Sequence, residues 1–394
     1  NLQAGIETFP TDNLVFSLDG GYSQKDIEAD FPSYAFPPFS PPVYYDYRIE
    51  TYTLSPKITF LAPLAGMNNE LTAGVDLTKE KLNTEKFNDK ARTLLSTDTD
   101  ITRETVGGYI TDTLSLTDRL LLNAGVRIEE NRTDAVHTGG LSPYSVKDSV
   151  TEEAWQTSLT WLPTGQLKLF AAIDRTYRYP FVDEQAIYTG WGDAFNKDLD
   201  PETGMNYEIG AEYMPSSNLV LQATLFRTDM KNEIAWDRGT SRNINLDETT
   251  HRGLEIAASY TQDLFALHAY YTWLQSEFTK GTNPGNEIPW VPQNQLDINL
   301  DLFLTDALTF TTHMSYIGSM FQSGDNANTG ANRQSEYALI DLLLQYDLPT
   351  EQIDATLFAG INNLFATEYN YLVSWGGYYP APERTYKAGV SITF

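Results

Sequence analysis

Apolar and polar residues alternate with a period of two along most of the chain. Leu120, Leu122, Ala124, Val126 and Ile128 alternate with Asn123, Gly125, Arg127 and Glu129. Leu254, Ile256, Ala258 and Tyr260 alternate with Glu255, Ala257 and Ser259. Leu296, Ile298, Leu300, Leu302 and Leu304 alternate with Asp297, Asn299, Asp301 and Phe303. Successive side chains of a strand point to opposite faces, so each segment predicts a strand with one apolar and one polar face. No long stretch has a helical period. The alternating segments run for roughly 10–18 residues, against about 5–6 for a usual globular strand and about 9–11 for a tilted strand that crosses a bilayer. Segment length therefore predicts membrane-crossing strands rather than a sandwich or propeller.

The connections sort by length. Short turns are expected at Pro10–Asn13, Thr117–Arg119, Pro163–Gly165, Pro215–Asn218, Thr261–Asp263 and Thr305–Asp306. Between them lie longer loops near 29–43, 87–99, 134–150, 179–202, 231–249, 280–292, 323–334 and 367–383. Short turns at one end and long loops at the other are the pattern of an outer-membrane barrel. The expected fold is thus all-β, a transmembrane antiparallel up-and-down β-barrel. Counting between the turns gives about 17 strands, whereas bacterial single-chain barrels have an even number. The first segment, residues 1–9, ends at a short turn and so runs from outside to inside. The sequence reads as starting after the first strands of its barrel.

Composition narrows the partners. Asp and Glu number 53 against 26 Lys and Arg, a formal charge of −27, which leaves too few cations for a nucleic-acid binder. Twenty-four Tyr, 19 Phe and 7 Trp suit the two membrane–water interfaces of a barrel. With no Cys, disulfides, thiolate metal sites and Cys nucleophiles are excluded. No run of 18 apolar residues is present, so no transmembrane helix is expected. The four His are scattered, and no HExxH, GxSxG or Walker A pattern occurs. No enzyme, resident metal or cofactor is expected.

Several segments of the last 220 or so residues resemble TonB-dependent outer-membrane receptors. Gly360-Ile-Asn-Asn-Leu-Phe-Ala-Thr-Glu-Tyr369 resembles their penultimate strand, with Asn-Leu-Phe shortly before a Tyr. Pro382-Glu-Arg-Thr-Tyr386 and the alternating run to Phe394 look like their last strand, although Glu383 stands where the family usually has Gly. Tyr177-Arg-Tyr-Pro-Phe-Val-Asp-Glu184 is similar to the family's Arg-x-Pro-x-x-x-Glu exit from a strand. Leu199-Asp-Pro-Glu-Thr-Gly-Met-Asn-Tyr-Glu-Ile-Gly210 is similar to its Leu-x-Pro-Glu re-entry, and His251-Arg-Gly-Leu-Glu255 to its Gly-x-Glu strand start. Residues 1–150 match by architecture alone.

The resemblance implies a barrel of about 22 strands with an N-terminal plug in its lumen. A periplasmic TonB box would couple it to an inner-membrane energy source. On that basis residues 1–394 are the C-terminal part of the barrel, with the plug, the TonB box and about five strands lying before Asn1. The implied function is a monomeric outer-membrane receptor for a scarce metal complex, a ferric siderophore first, because iron is the common substrate of the family. Haem and cobalamin remain open. A passive porin is the alternative of another class. The implied partners are the TonB complex, outer-membrane lipid and lipopolysaccharide, and the small ligand, with no nucleic acid.

Ligand contacts in such a receptor come from outer loops. The candidates are Tyr188 and Trp191 in loop 179–202, Trp236, Arg238 and Arg242 in loop 231–249, Trp290 beside Pro289, and Trp375, Tyr378 and Tyr379 in loop 367–383, together with Tyr369 and Tyr371. Aromatic rings stack on planar chelates and Arg pairs with anionic ones. The plainer account makes them girdle residues or loop packing. Loop 29–43, with five Pro, reads as a stiff, packed loop, and the oxygen-rich Ser323–Asn328 as a solvated turn before a calcium site. Inward charges such as Arg127, Glu129, Glu208, Glu212, Glu255, Asp297 and Asp301 need water or a plug to face.

Overall fold

The computed structural model describes residues 1–31, 42–140, 143–185, 196–237, 242–331, 333–349, 353–374 and 377–393. Strands dominate them. In chain order these are β1 (Leu2–Thr11), β2 (Leu14–Phe31), β3 (Val43–Leu61), β4 (Asn69–Phe87), β5 (Leu95–Thr117), β6 (Leu120–Gly139), β7 (Tyr144–Thr164) and β8 (Leu167–Arg178). A one-turn helix, α1 (Val182–Gln185), follows. Then come β9 (Glu202–Ser216), β10 (Leu219–Lys231), β11 (Ile234–Asp237), β12 (Arg242–Asn245), β13 (Glu248–Gln262), β14 (Phe265–Phe278) and β15 (Asn294–Thr305). The last are β16 (Leu308–Ile317), β17 (Tyr337–Asp347), β18 (Asp354–Asn362), β19 (Asn370–Ser374), β20 (Gly377–Pro380) and β21 (Thr385–Thr393). Among the described residues, 17 strands belong to one sheet, and β11–β12 and β19–β20 form separate hairpins. The strand number expected from the turns is therefore met. The two hairpins, built inside long loops, have no counterpart in the alternation pattern.

The chain divides into two compact units. In the first, Asn1–Leu159 with 173–205 and 231–246, β1 to β6 form an antiparallel meander. Register aligns one face in rows. Phe16, Ile58, Ala73, Ile110 and Val126 form an apolar row across five strands. Two steps nearer the long loops, Gly20, Leu54, Leu77 and Val106 end at Glu130. The next row is Tyr22, Tyr52, Lys79, Glu104 and Arg132. The apolar rows are exposed, with Ile58 at 43%, Ile110 at 43% and Val126 at 45%. The opposite face carries Asp76, Arg127 and Glu129, held together by ion pairs. A soluble sheet buries its apolar face, whereas a lipid-facing strand presents it outward.

Beyond the charged row the strands continue; β5 alone has 23 residues. There the inward face becomes buried. Leu82, Ile101 and Ala135, at most 2% exposed, pack with Ile49, Tyr144, Val146 and Val182 of α1. Burial of this small core explains strands longer than the bilayer requires.

In the second unit, 160–172, 206–230 and Asp247–Phe394, β13 to β18 and β21 form another antiparallel run. β13 and β14 pair without a bulge from Thr249 opposite Phe278 to Gln262 opposite Phe265. Polar partners line one face: His268 and Ser259 at 3.0 Å, Asp301 and Thr311 at 2.5 Å, and His313 and Asp297 at 3.4 Å. The inward charges thus find much of their partnership on the wall itself. Ile256, Leu304 and Leu357 are exposed on the other face.

Candidate ligand-facing site

The long-loop end of the first unit is organised by Arg178, the last residue of β8. Pro180 lacks a backbone donor and restricts Tyr179, so the strand stops there. The chain then makes α1, whose first turn is closed by the Glu184 carboxylate accepting from the Phe181 N–H at 2.7 Å. Arg178 donates through Nε and Nη2 to both oxygens of Glu202 at 2.8 and 2.7 Å. Its Nη1 donates to Glu184 at 2.8 Å. Glu202 also accepts from the Ile234 N–H at 2.7 Å, at the start of the β11–β12 hairpin. Three amides complete the frame. Asn196 donates to the Asn243 carbonyl, Asn243 to the Glu184 carbonyl, and Asn245 to the Asp200 and Asn232 carbonyls, all within 2.7–3.1 Å. The Arg-x-Pro-x-x-x-Glu and Pro-Glu segments are therefore two halves of one clamp. It fixes where the chain leaves the sheet, where it returns, and where the next loop stands.

That hairpin carries two residues expected to meet ligand. Trp236 is 42% exposed and pairs in register with Asn243. Arg242 lies opposite Asp237, and its Nε is closed off from solvent with no hydrogen-bond partner. A buried donor without an acceptor is costly, so Arg242 is poised to take one. Tyr188, Trp191, Arg238 and Trp375 lie outside the described residues, as do Pro32, Pro37, Pro38 and Pro41 of loop 29–43.

In the second unit, Tyr378 and Tyr379 on β20 are each 56% exposed and pair with Val373 and Leu372 of β19. The Ala381 N–H donates to the Tyr369 carbonyl, which sets this hairpin beside a stack of rings. Tyr337 and Tyr369 lie 4.6 Å apart and nearly parallel, and Tyr371 meets Tyr369 edge-on at 6.1 Å. Tyr337 escaped the sequence reading because it begins a strand rather than sitting in a loop. Trp290 sits in its own turn, with a left-handed φ of 62° and its N–H on the Phe321 carbonyl at 2.9 Å. Asp325 differs from expectation. It is 7% exposed and accepts from the Thr329 and Gly330 N–H groups and the Thr329 hydroxyl at 2.9–3.1 Å. Its oxygens staple its own loop, so the segment is an internally bonded turn rather than a solvated one.

On the inward face of the first unit, Arg127 is an anchored strut. Its Nη1 donates to Asp76 at 2.5 Å, its Nε to Glu129 at 3.0 Å and to the Tyr177 hydroxyl at 3.3 Å, and its Nη2 also meets Glu129. Gly107 leaves room for it: a Cβ there would stand 2.4 Å from Nη2 of Arg127. Gly74 does the same for the ring of Tyr109.

Exposed apolar rows, a paired polar face, tight turns and built-up loops define an outer-membrane β-barrel of the receptor type. The family model for the TonB-dependent receptor-like β-barrel matches residues 1–364, and the chain belongs to that family. The iron-regulated outer membrane virulence protein of Vibrio cholerae is 26% identical over 363 residues, covering 86% of this chain and 51% of its own. The solved ferric-catecholate import receptor Fiu of Escherichia coli K12 superposes with a TM-score of 0.78 at 19% identity, over 98% of this chain and 63% of its own. The ferric citrate transporter FecA gives 0.81 at 18% identity, over 99% and 61%. The structural likenesses speak to fold. The chain spans about half the length of the curated relatives it matches. As a barrel of this family it sits in the bacterial outer membrane.

Proposed function

We propose that the full-length protein is an energised outer-membrane receptor that imports a ferric siderophore. The observation that carries this reading is an outer hairpin that holds the exposed Trp236 and, one register pair further on, Arg242 with its unpartnered buried donor. An aromatic ring and a guanidinium carried by one outer hairpin suit a planar, anionic iron chelate. Tyr378 and Tyr379 offer a second aromatic surface. Tyr188, Trp191, Arg238, Trp290 and Trp375 complete the proposed contact set. Related proteins named as siderophore receptors, PiuA of Acinetobacter baumannii and Fiu of Escherichia coli, support the choice of ligand class.

In this reading residues 1–394 are the C-terminal barrel of a longer protein, preceded by further strands, a plug and a TonB-binding segment. Ligand binds at the outer loops, TonB rearranges the plug, and the chelate passes to the periplasm. The receptor acts as a monomer in lipid and lipopolysaccharide and performs no catalysis. The test is tryptophan-fluorescence titration of the full-length receptor with ferric catecholate, ferric citrate, haem and cobalamin. Saturable quenching by a ferric chelate, weakened by Arg242→Gln, is expected. Binding of haem or cobalamin alone would overturn the siderophore assignment.

A further inference from the structure

The inward face of β5 to β8 holds a hollow of about 290 Å³ whose rim includes Tyr109, Thr111, Arg127, Gln156 and Arg175. Gly125 lines it as well. A Cβ at that position would come within 2.9 Å of the Thr111 methyl and 3.4 Å of the Gln156 chain, so the absence of a side chain helps keep the space open. Arg127 is committed to Asp76, Glu129 and Tyr177 and stacks over Tyr109, its carbon 5.8 Å from the ring centre. Arg175 is different. Its Nη2 donates to Glu152 at 2.8 Å, while its Nη1 is closed off from solvent and has no acceptor. Gln156 donates through Nε2 to Asn123 at 3.2 Å, which turns its carbonyl oxygen to other partners.

The charges choose the guest. Two guanidiniums, Arg127 and Arg175, face the carboxylates of Asp76, Glu129 and Glu152, and Asp174 also lines the hollow. Acids outnumber bases, so another full anion is repelled. A neutral acceptor satisfies Arg175 without adding charge. We propose that this hollow is a binding site for an amide group. Its carbonyl accepts from Arg175 Nη1 after a small swing of the guanidinium about the Glu152 contact. Its N–H donates to the Gln156 oxygen, and the flat group rests against Tyr109. The amide comes either from a ligand in transit or from another segment of the full-length protein. The inference stands independently of the siderophore reading.

The test uses the full-length receptor in detergent, with 4-fluorobenzamide and 4-fluorobenzoate as fluorine NMR probes. If the site is open to small ligands, the benzamide binds saturably and the benzoate is weaker by about tenfold or more. Arg175→Met then weakens the benzamide to a similar degree. If another segment of the protein fills the site, neither probe binds. Arg175→Met then raises hydrogen exchange in one segment outside β5 to β8 while those strands stay protected. Arg175→Lys, which keeps a donor, reports on any general loss of folding by retaining wild-type exchange in β5 to β8. Equal binding of both probes, or no probe binding together with unchanged exchange in Arg175→Met, would overturn the proposal.

Discussion

Arg178 and Glu202, 24 residues apart in the chain, are joined by two parallel hydrogen bonds of 2.8 and 2.7 Å. Glu202 is 14% and Arg178 31% exposed, so the pair is shielded enough to matter. Glu202→Gln keeps the volume but removes the charge. Hydrogen bonds to charged groups contribute about 1.5–3 kcal/mol. The expected result is trypsin cleavage after Lys231 and Arg242 that is faster by about an order of magnitude, with unchanged far-ultraviolet circular dichroism. Cleavage at the wild-type rate would show that the clamp does not hold the hairpin.

Gly74 and Tyr109 are a matched pair. A Cβ at Gly74 would lie 2.5 Å from the Tyr109 ring carbon that bears the hydroxyl. Gly74→Ala is expected to destabilise the barrel by about 1–3 kcal/mol through overpacking. Tyr109→Ala in the same chain removes the obstacle. In reversible urea unfolding into lipid vesicles, the two changes together should therefore cost less than the sum of each alone. Strict additivity would contradict the close approach.

The aligned rows locate the bilayer on the first unit. Val126 lies in the apolar row with Phe16, Ile58, Ala73 and Ile110, whereas Thr102 sits opposite Lys81, beyond the row of Lys79, Glu104 and Arg132. Arg on the lipid face costs about 2–4 kcal/mol at the midplane and about 0–1 near the interface. Val126→Arg should thus fall in the upper range and Thr102→Arg in the lower, by folding titration in vesicles. Similar costs at both positions would put the boundary elsewhere.

Loop 88–94 carries a pH-dependent staple. Burial opposes ionisation of Asp89, but the Leu94 N–H and the Thr93 hydroxyl and N–H outweigh it and hold the carboxyl below the usual range. A carboxyl with a lowered folded-state pKa stabilises its loop above the unfolded value of about 3.9 and loses that contribution as pH falls through the folded value. A spin label at the exposed Lys90 should stay immobile from neutral pH down to about 4 and loosen below it. In Asp89→Asn the label should be loose throughout. A pH-independent signal in the parent chain would contradict this.

Much of the architecture was legible because it is local. Turn residues such as Thr117-Asp118-Arg119 stand where β5 gives way to β6, and the period of two assigns Val126 and Arg127 to opposite faces. What escaped depends on partners distant in sequence. Arg178 reads as part of a strand-exit motif, yet its partner Glu202 is set by a loop closure that no local pattern encodes. The β11–β12 and β19–β20 hairpins are four- and five-residue strands, too short for alternation to show. One connection, 62–68, lacks the Thr-Asp signature of the turns at 117–119 and 305–306. Ser323–Asn328 read as a solvated turn because the loop mates of Asp325, Thr329 and Gly330, reveal themselves only in three dimensions.

The central claim is energised import. The direct measurement is uptake of a radiolabelled ferric chelate by cells whose sole receptor is the full-length protein, with and without a proton uncoupler. The account predicts saturable surface binding in both conditions and accumulation only while the proton gradient stands. Accumulation that is indifferent to the uncoupler and rises linearly with concentration would contradict it and make the barrel a passive pore.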